Sequence, residues 1–254
     1  MHSRWRVISM SADSAQPSSP PTPLNTVGFI GIGQMGHGML KNLCESGVPV
    51  LAFDPSRGAL DRAQALGAEI APSPCAVGAK VETVFLCVPS GEQVLSLLFG
   101  EDGLVSANNP SLMVVDHTTY NRNEAIAIAA RAREAGLRYA DCPVSGTPVR
   151  ADNGTLTIMF GGQESDFLSA KPYLDIIGEF VVHCGDVGSG QLMKAVNNII
   201  YDVNIAAICE VIPLALKAGL DADVLASVVT SGSSRSFASE YFVPKILDGQ
   251  FDGD

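Results

Sequence analysis

The chain has 254 residues, 46% of them hydrophobic, enough to bury one large core or two modest ones. Its net charge is −11, and its Lys and Arg residues are scattered singly, which excludes the basic face that a nucleic-acid binder needs. The acidic balance fits a soluble cytosolic protein that handles small molecules.

The six cysteines are Cys44, Cys75, Cys87, Cys142, Cys184 and Cys209. No two lie within four residues of each other, so no zinc or redox spacing exists, and they read as reduced thiols. No uninterrupted apolar run approaches the roughly 18 to 20 residues that span a bilayer, so no membrane partner is expected.

Residues 1–25 hold Ser and Pro clusters without hydrophobic period and read as a disordered leader. Arg4 and Arg6 leave an organellar transit role open. Order is expected from Thr26. "TVGFIGIGQMG" begins as a buried strand, Val27 to Ile30, and breaks into a glycine turn. A helix follows over 34–46, with Met35, Met39, Leu40 and Leu43 at helical spacing, and Gly47 stops it. Strands are expected at 48–54, 82–88, 112–118, 138–144 and 155–162, and helices at 57–66 and 123–136.

Strands alternating with helices indicate a doubly wound parallel sheet, a Rossmann-like α/β domain over 26–188. The pattern then changes. Residues 190–218 form one long helical segment, apolar on most faces, as expected of a helix buried between domains, with a kink at Pro213. Shorter helices follow near 221–229 and 238–247. An all-α domain over 189–254 is therefore expected, joined to the sheet by the long helix.

"GIGQMG" puts Gly31, Gly33 and Gly36 in GxGxxG spacing, with Ile32, Gln34 and Met35 between them. Gly31 permits the tight turn, Gly33 lets the backbone approach a pyrophosphate, and Gly36 lets the helix pack on the sheet. The helix N-terminus presents free N–H groups to the phosphates. Asp54 ends the second strand, 18 residues past Gly36, where it accepts from the ribose hydroxyls of a dinucleotide. Taken alone, the turn and a strand-end cap would be structural. The whole strand–turn–helix context favours the cofactor. The Asp54 carboxylate repels a 2′-phosphate, which favours NAD, while Arg57, three residues on, keeps NADP open.

On the long helix, Gln191, Lys194, Asn197 and Asn198 share one face. A polar stripe on an apolar helix either faces solvent or serves a buried site, where polar groups need partners. "PVSG" leaves a strand into a turn of small residues, where Ser145 and Gly146 can bind a carboxylate or merely stabilise the turn.

Three segments in order resemble the β-hydroxyacid dehydrogenase family, which includes 3-hydroxyisobutyrate dehydrogenase and tartronate semialdehyde reductase. They are "VGFIGIGQMGHGMLKNL" at 27–43, "DCPVSGTPVRADNGTL" at 141–156 and "GDVGSGQLMKAVNN" at 185–198. The resemblance implies an NAD(P)-dependent oxidoreductase acting on a small 3-hydroxy acid or its semialdehyde. It makes Lys194 the general acid/base, and Ser145 and Gly146 the holders of the substrate carboxylate. Asn198, with Asn197 as a helper, orients substrate. Thr118 lies near nicotinamide and substrate, and Val88 and Pro89 near the cofactor ribose. His117 is not expected to be catalytic. Desolvation lowers a lysine from its usual ~10.4 toward useful range.

Thr147 stands where the family has a second glycine, and Arg150 where it often has another. Thr147 narrows the carboxylate pocket. Arg150 either adds a cation near the substrate or faces solvent. The family continues with a helix carrying a K-D-L motif, whereas this sequence stops at Asp254. Exposed apolar surface and pairing into a homodimer or homotetramer are the expected consequences. Two further readings stay open: an imine or ketone reductase on the same scaffold, and a non-catalytic dinucleotide-binding protein. Lys194 speaks against both.

Overall fold

The computed structural model describes residues 24–250. The expected leader lies outside the described residues, apart from its last two positions. The elements are β1 (Val27–Ile30), α1 (Gln34–Glu45), β2 (Val50–Phe53), α2 (Arg57–Ala65), β3 (Glu69–Ile70), α3 (Pro74–Gly78), β4 (Thr83–Leu86) and α4 (Gly91–Phe99). A 3-10 turn at Leu104–Ala107 precedes β5 (Met113–Asp116), α5 (Arg122–Glu134), β6 (Arg138–Asp141), β7 (Val144–Ser145), α6 (Pro148–Asp152), β8 (Leu156–Gly161), α7 (Glu164–Ile177) and β9 (Gly178–Gly185). The long helix α8 (Ser189–Lys217) leads to α9 (Ala222–Ser231) and α10 (Phe237–Leu247).

The sheet runs β3-β2-β1-β4-β5-β6-β8-β7, with β9 also on β8. The first six strands in this order are parallel. Strand order reverses between β1 and β4, and the crevice beyond the strand ends at such a switch point is where doubly wound sheets bind ligands. The expected doubly wound parallel sheet is present, and one later strand runs against it: β8 is antiparallel to both β6 and β7. The short link from β7 through the five-residue α6 cannot make the long crossover that a parallel pair needs. The longer α7 does make one, and β9 is parallel to β8.

Adjacent residues in a strand face opposite sides, and here both sides are covered. Phe29, Phe85 and Phe160 join Met39, Leu40 and Leu43 of α1 on one face. Ile30, Leu51, Leu86 and Val114 pack with Val94, Leu98 and Leu104 on the other. Burial on both faces explains the continuous apolar runs of these strands.

The long helix departs from expectation. Its buried residues are Gly190, Gln191, Ile208 and Ile212, while Ile199, Ile200, Val203 and Leu214 are exposed. At 29 residues it is a rod about 44 Å long. Helix α10 covers one stretch, where Ile208 and Ile212 meet Ala238 and Val243. The expectation about membrane-spanning length is also corrected. Ser189–Lys217 contains an 18-residue stretch of mean hydropathy 1.8 and is long and apolar enough to cross a bilayer by length and composition. Single polar residues interrupt its apolar runs, which hides the length from a search for unbroken ones.

Candidate active site

Strand β1 ends at Ile30, and Gly31 turns the chain with φ +93°, a conformation that favours glycine. Its N–H donates to the Phe53 carbonyl at 3.1 Å, tying the turn to β2. Gly36 lies so close to this turn that a Cβ there would stand 2.0 Å from the Gly31 oxygen. Gly33 differs: a Cβ on it would meet nothing within 4 Å, because it faces a cleft of about 840 Å³.

The cleft is walled by Gly31, Gly33, Gln34, Met35 and Gly36, by Asp54 beyond β2, and by Val88 and Pro89 beyond β4. The α1 N-terminus opens into it, with no acidic residue in the helix's first turn. This bare cradle fits a pyrophosphate. Both Asp54 oxygens accept backbone N–H groups, from Ile32 at 2.7 Å and Ser56 at 2.8 Å. Each oxygen keeps a further lone pair for a ribose hydroxyl. Ile32 itself is buried and reaches the site only through that bond. Arg57 is turned away, exposed and paired with Asp61 at 2.9 Å. Burial pushes the Cys87 thiol, also on the cleft wall, up to about 12, so it stays protonated.

The Val88 N–H donates to Thr118 Oγ1 at 3.2 Å, which joins the expected Thr118 to the cleft's edge. The Thr118 N–H in turn donates to the buried Asp116 carboxylate at 2.9 Å, as does the Tyr120 hydroxyl at 2.6 Å. Burial raises the Asp116 carboxyl, against the pull of those bonds. Its neighbour His117 stacks on Phe85 and donates from Nδ1 to the Cys142 carbonyl at 2.7 Å. Burial drives His117 down to about 4, so it is a neutral core residue.

Lys194 is half-buried, and desolvation pushes its amine below the ordinary lysine range. Among the described residues it has no hydrogen-bond or ion-pair partner. One turn on, Asn197 donates from Nδ2 to Ser145 Oγ at 3.3 Å, so the Ser145–Gly146 turn and the helix meet. Asn198 is half-buried on the face it shares with Lys194. Gly146 has φ +147°, and a Cβ there would stand 2.7 Å from Leu156. Arg150 lines a second cleft beside Thr147. Its guanidinium donates to the Thr155 carbonyl and lies 3.6 Å from Glu179, contacts that brace the loop after α6.

This second cleft, of about 1810 Å³, shares Gly33 and Gln34 with the first and is walled by Thr147 after the Ser145–Gly146 turn, Ile205 of α8 and Phe237 of α10. Two polar residues escaped sequence reasoning. Gln191 belonged to the polar stripe but had no role, and Asp141 had none either. Asp141 bonds residues 47 and 50 positions away, which no local pattern reveals.

The family model for the NAD-binding domain of 6-phosphogluconate dehydrogenase matches residues 26–185. That for the NAD-binding of NADP-dependent 3-hydroxyisobutyrate dehydrogenase matches 188–254. The chain belongs to the β-hydroxyacid dehydrogenase family. A Dictyostelium discoideum relative named as a probable mitochondrial 3-hydroxyisobutyrate dehydrogenase is 37% identical over 86% of this chain and 68% of its own length. The 2-(hydroxymethyl)glutarate dehydrogenase of Eubacterium barkeri is 35% identical over 89% of this chain and 76% of its own. Among solved structures, the Mycobacterium tuberculosis 3-hydroxyisobutyrate dehydrogenase with L-serine superposes with TM-score 0.81 at 33% identity, covering 86% of this chain and 74% of that one. Likeness to a Bacillus cereus imine reductase, at 21% identity, shows the fold alone. The relatives are hydroxyacid dehydrogenases, and the chain is an NAD(P)-dependent enzyme of that class.

Proposed function

We propose that this β-hydroxyacid dehydrogenase oxidises a small 3-hydroxy acid to its semialdehyde, or reduces the latter, with Lys194 as general acid/base. The observation that carries the proposal is the half-buried, unpartnered Lys194 amine on a helix bonded to the Thr118 segment at the dinucleotide cleft. When bound, the nicotinamide ring supplies the hydride acceptor or donor. In oxidation the neutral Lys194 amine takes the hydroxyl proton. In reduction its ammonium returns that proton to the forming alkoxide. Desolvation is what brings such an amine within working range. Ser145 Oγ and the Gly146 N–H hold the substrate carboxylate by charge-assisted bonds. Asn197 and Asn198 orient the substrate, and Thr118 borders the nicotinamide end.

NAD is the preferred cofactor in this reading, because Asp54 would meet a 2′-phosphate with like charge, and Arg57, engaged by Asp61, offers no compensation. Two domains are proposed, a Rossmann unit over 26–188 and an all-α unit over 189–254. The exposed apolar face of α8 is assigned to a second copy of this chain, in a homodimer or homotetramer. A bilayer is the poorer host, since Gln191, Lys194, Asn197 and Asn198 crowd the helix's first three turns. Free thiols at all six cysteines fit a reducing compartment such as the cytoplasm.

The test is NAD reduction with 3-hydroxyisobutyrate, 2-(hydroxymethyl)glutarate and L-serine, wild type beside Lys194→Ala. Turnover should fall ~10² to 10⁴ fold in the variant, the usual share of a general acid/base. Equal rates would end the lysine assignment. Tight NAD binding without turnover of any of the three acids would favour the non-catalytic reading.

A further inference from the structure

An acid/base group works only if held in place, and among the described residues Lys194 has no partner of its own to hold it. What is fixed is the head of its helix. Helix α8 begins after Gly188, whose φ is +89° and which has no side chain to cap the first N–H groups. Those groups need acceptors when buried. Asp141, fully buried, supplies them from the C-terminal end of β6. Its Oδ1 accepts the Gly188 N–H at 2.6 Å, and its Oδ2 the Gln191 N–H at 2.8 Å. A carboxylate there also meets the positive end of the helix dipole. The approach is so close that a Cβ on Gly190 would stand 2.4 Å from the Met159 carbonyl, and one on Gly161 2.5 Å from Asp141 Oδ1.

Gln191 forms the second attachment. It is 2% exposed. Its Nε2 donates to the Thr118 carbonyl at 2.7 Å, and its Oε1 accepts the Tyr120 N–H at 3.3 Å. Both ends of one amide are thus used on the segment whose Thr118 hydroxyl touches Val88 at the dinucleotide cleft. Lys194 lies one turn further along the same helix.

We infer that Asp141 and Gln191 are positioning residues, a two-point clamp that fixes the head of α8 on the Thr118 segment and so sets where the Lys194 amine stands against the cofactor. The inference rests on the acid/base reading of Lys194. Misplacement by about 1 Å can cost ~10²-fold in rate, so the clamp is expected to act on turnover far more than on dinucleotide affinity.

The experiment uses the full chain with Gln191→Met, which keeps side-chain volume and removes both amide bonds, in wild-type and Lys194→Ala backgrounds. Asp141→Asn is the second variant, should the first fail to fold. Readouts are kcat and KM with 3-hydroxyisobutyrate, the NADH Kd by fluorescence, and the Lys194 titration midpoint from ¹³C-dimethylated lysine resonances, assigned by the signal missing in Lys194→Ala. The clamp predicts a kcat loss of about 10²-fold for Gln191→Met and an NADH Kd within about twofold of wild type. It also predicts a Lys194 midpoint displaced upward and no further loss when added to Lys194→Ala, because groups acting as one unit are not additive. An equal fractional loss in both backgrounds, or an unmoved kcat and midpoint, would overturn it. If Lys194→Ala kept full turnover, the acid/base reading would fail instead, and the midpoint, read without turnover, would still decide whether the clamp positions the amine.

Discussion

The Asp54 carboxylate that lines the cleft beyond β2 also accepts the Ile32 N–H at 2.7 Å, so one side chain both braces the glycine turn and forms part of the cleft wall. Asp54→Asn should therefore have two effects. Removing the charge lifts the like-charge repulsion of a 2′-phosphate, worth about 1.4 kcal/mol at such range, or roughly tenfold in affinity. The amide NH₂ also opposes one of the two backbone N–H groups, so NAD binding itself weakens. The expected result is a Kd ratio of NADP to NAD that falls roughly tenfold, measured by NADH and NADPH fluorescence titration. An unchanged ratio would remove Asp54 from cofactor discrimination.

Lys194 should cost the fold stability while serving the reaction. Its folded pKa is lowered by desolvation, so below that folded value both folded and unfolded chains carry the charge, and the full desolvation penalty falls on the folded one. As pH rises through the lowered folded value toward the ordinary 10.5, the folded state sheds its proton first and the penalty fades. Lys194→Met should accordingly be more stable than wild type at pH 7, with the gap closing toward pH ~10.5, as read by urea denaturation across that range. A variant less stable at neutral pH would mean that the amine contributes bonds in the folded state.

Much of this was legible beforehand because the signals were local. Gly31, Gly33, Gly36 and Asp54 lie within one strand–turn–helix–strand unit, and periodicity plus spacing suffices to place them. Lys194 and Asn198 stood out on a polar stripe of one helix, and the family resemblance gave that stripe its expected role. The Asp141 and Gln191 contacts were not legible, because each joins segments far apart in sequence. The antiparallel β8 was missed because strand direction depends on the connection, and the five residues of α6 carry no helix period of their own. The exposure of α8 was misjudged for a related reason: apolar composition says that a face must be covered, and nothing about which chain covers it.

That face gives the third prediction. Ile199, Ile200 and Val203 are each about three-fifths exposed, at 63%, 59% and 62%, and they lie within two turns of one helix. Contiguous apolar patches of this kind mark association surfaces. Sedimentation of the wild type should show a dimer or larger species. Val203→Glu together with Ile199→Glu should shift it to monomer, while NADH binding at the glycine turn persists. A monomeric wild type would refute the assignment of this face to a second copy.

The fourth prediction separates two glycines of one motif by what a methyl group would meet. At Gly33 the backbone is extended, with φ −70° and ψ −162°, which alanine adopts without strain, and a Cβ would enter open cleft space. Gly33→Ala should fold with nearly wild-type thermal stability yet bind NADH weakly, because the methyl takes the space of the approaching pyrophosphate. At Gly36 the Cβ would stand 2.0 Å from the Gly31 carbonyl oxygen and 3.2 Å from Phe29. There α1 would have to lift off β1, and overpacking against backbone costs about 1 to 3 kcal/mol or more. Gly36→Ala should therefore lose stability first and affinity as a consequence. Calorimetric melting of the two variants, with and without NADH, reads both quantities. If Gly33→Ala bound NADH as wild type does, the pyrophosphate would not pass over the turn, and the dinucleotide would have to lie elsewhere along the strand ends.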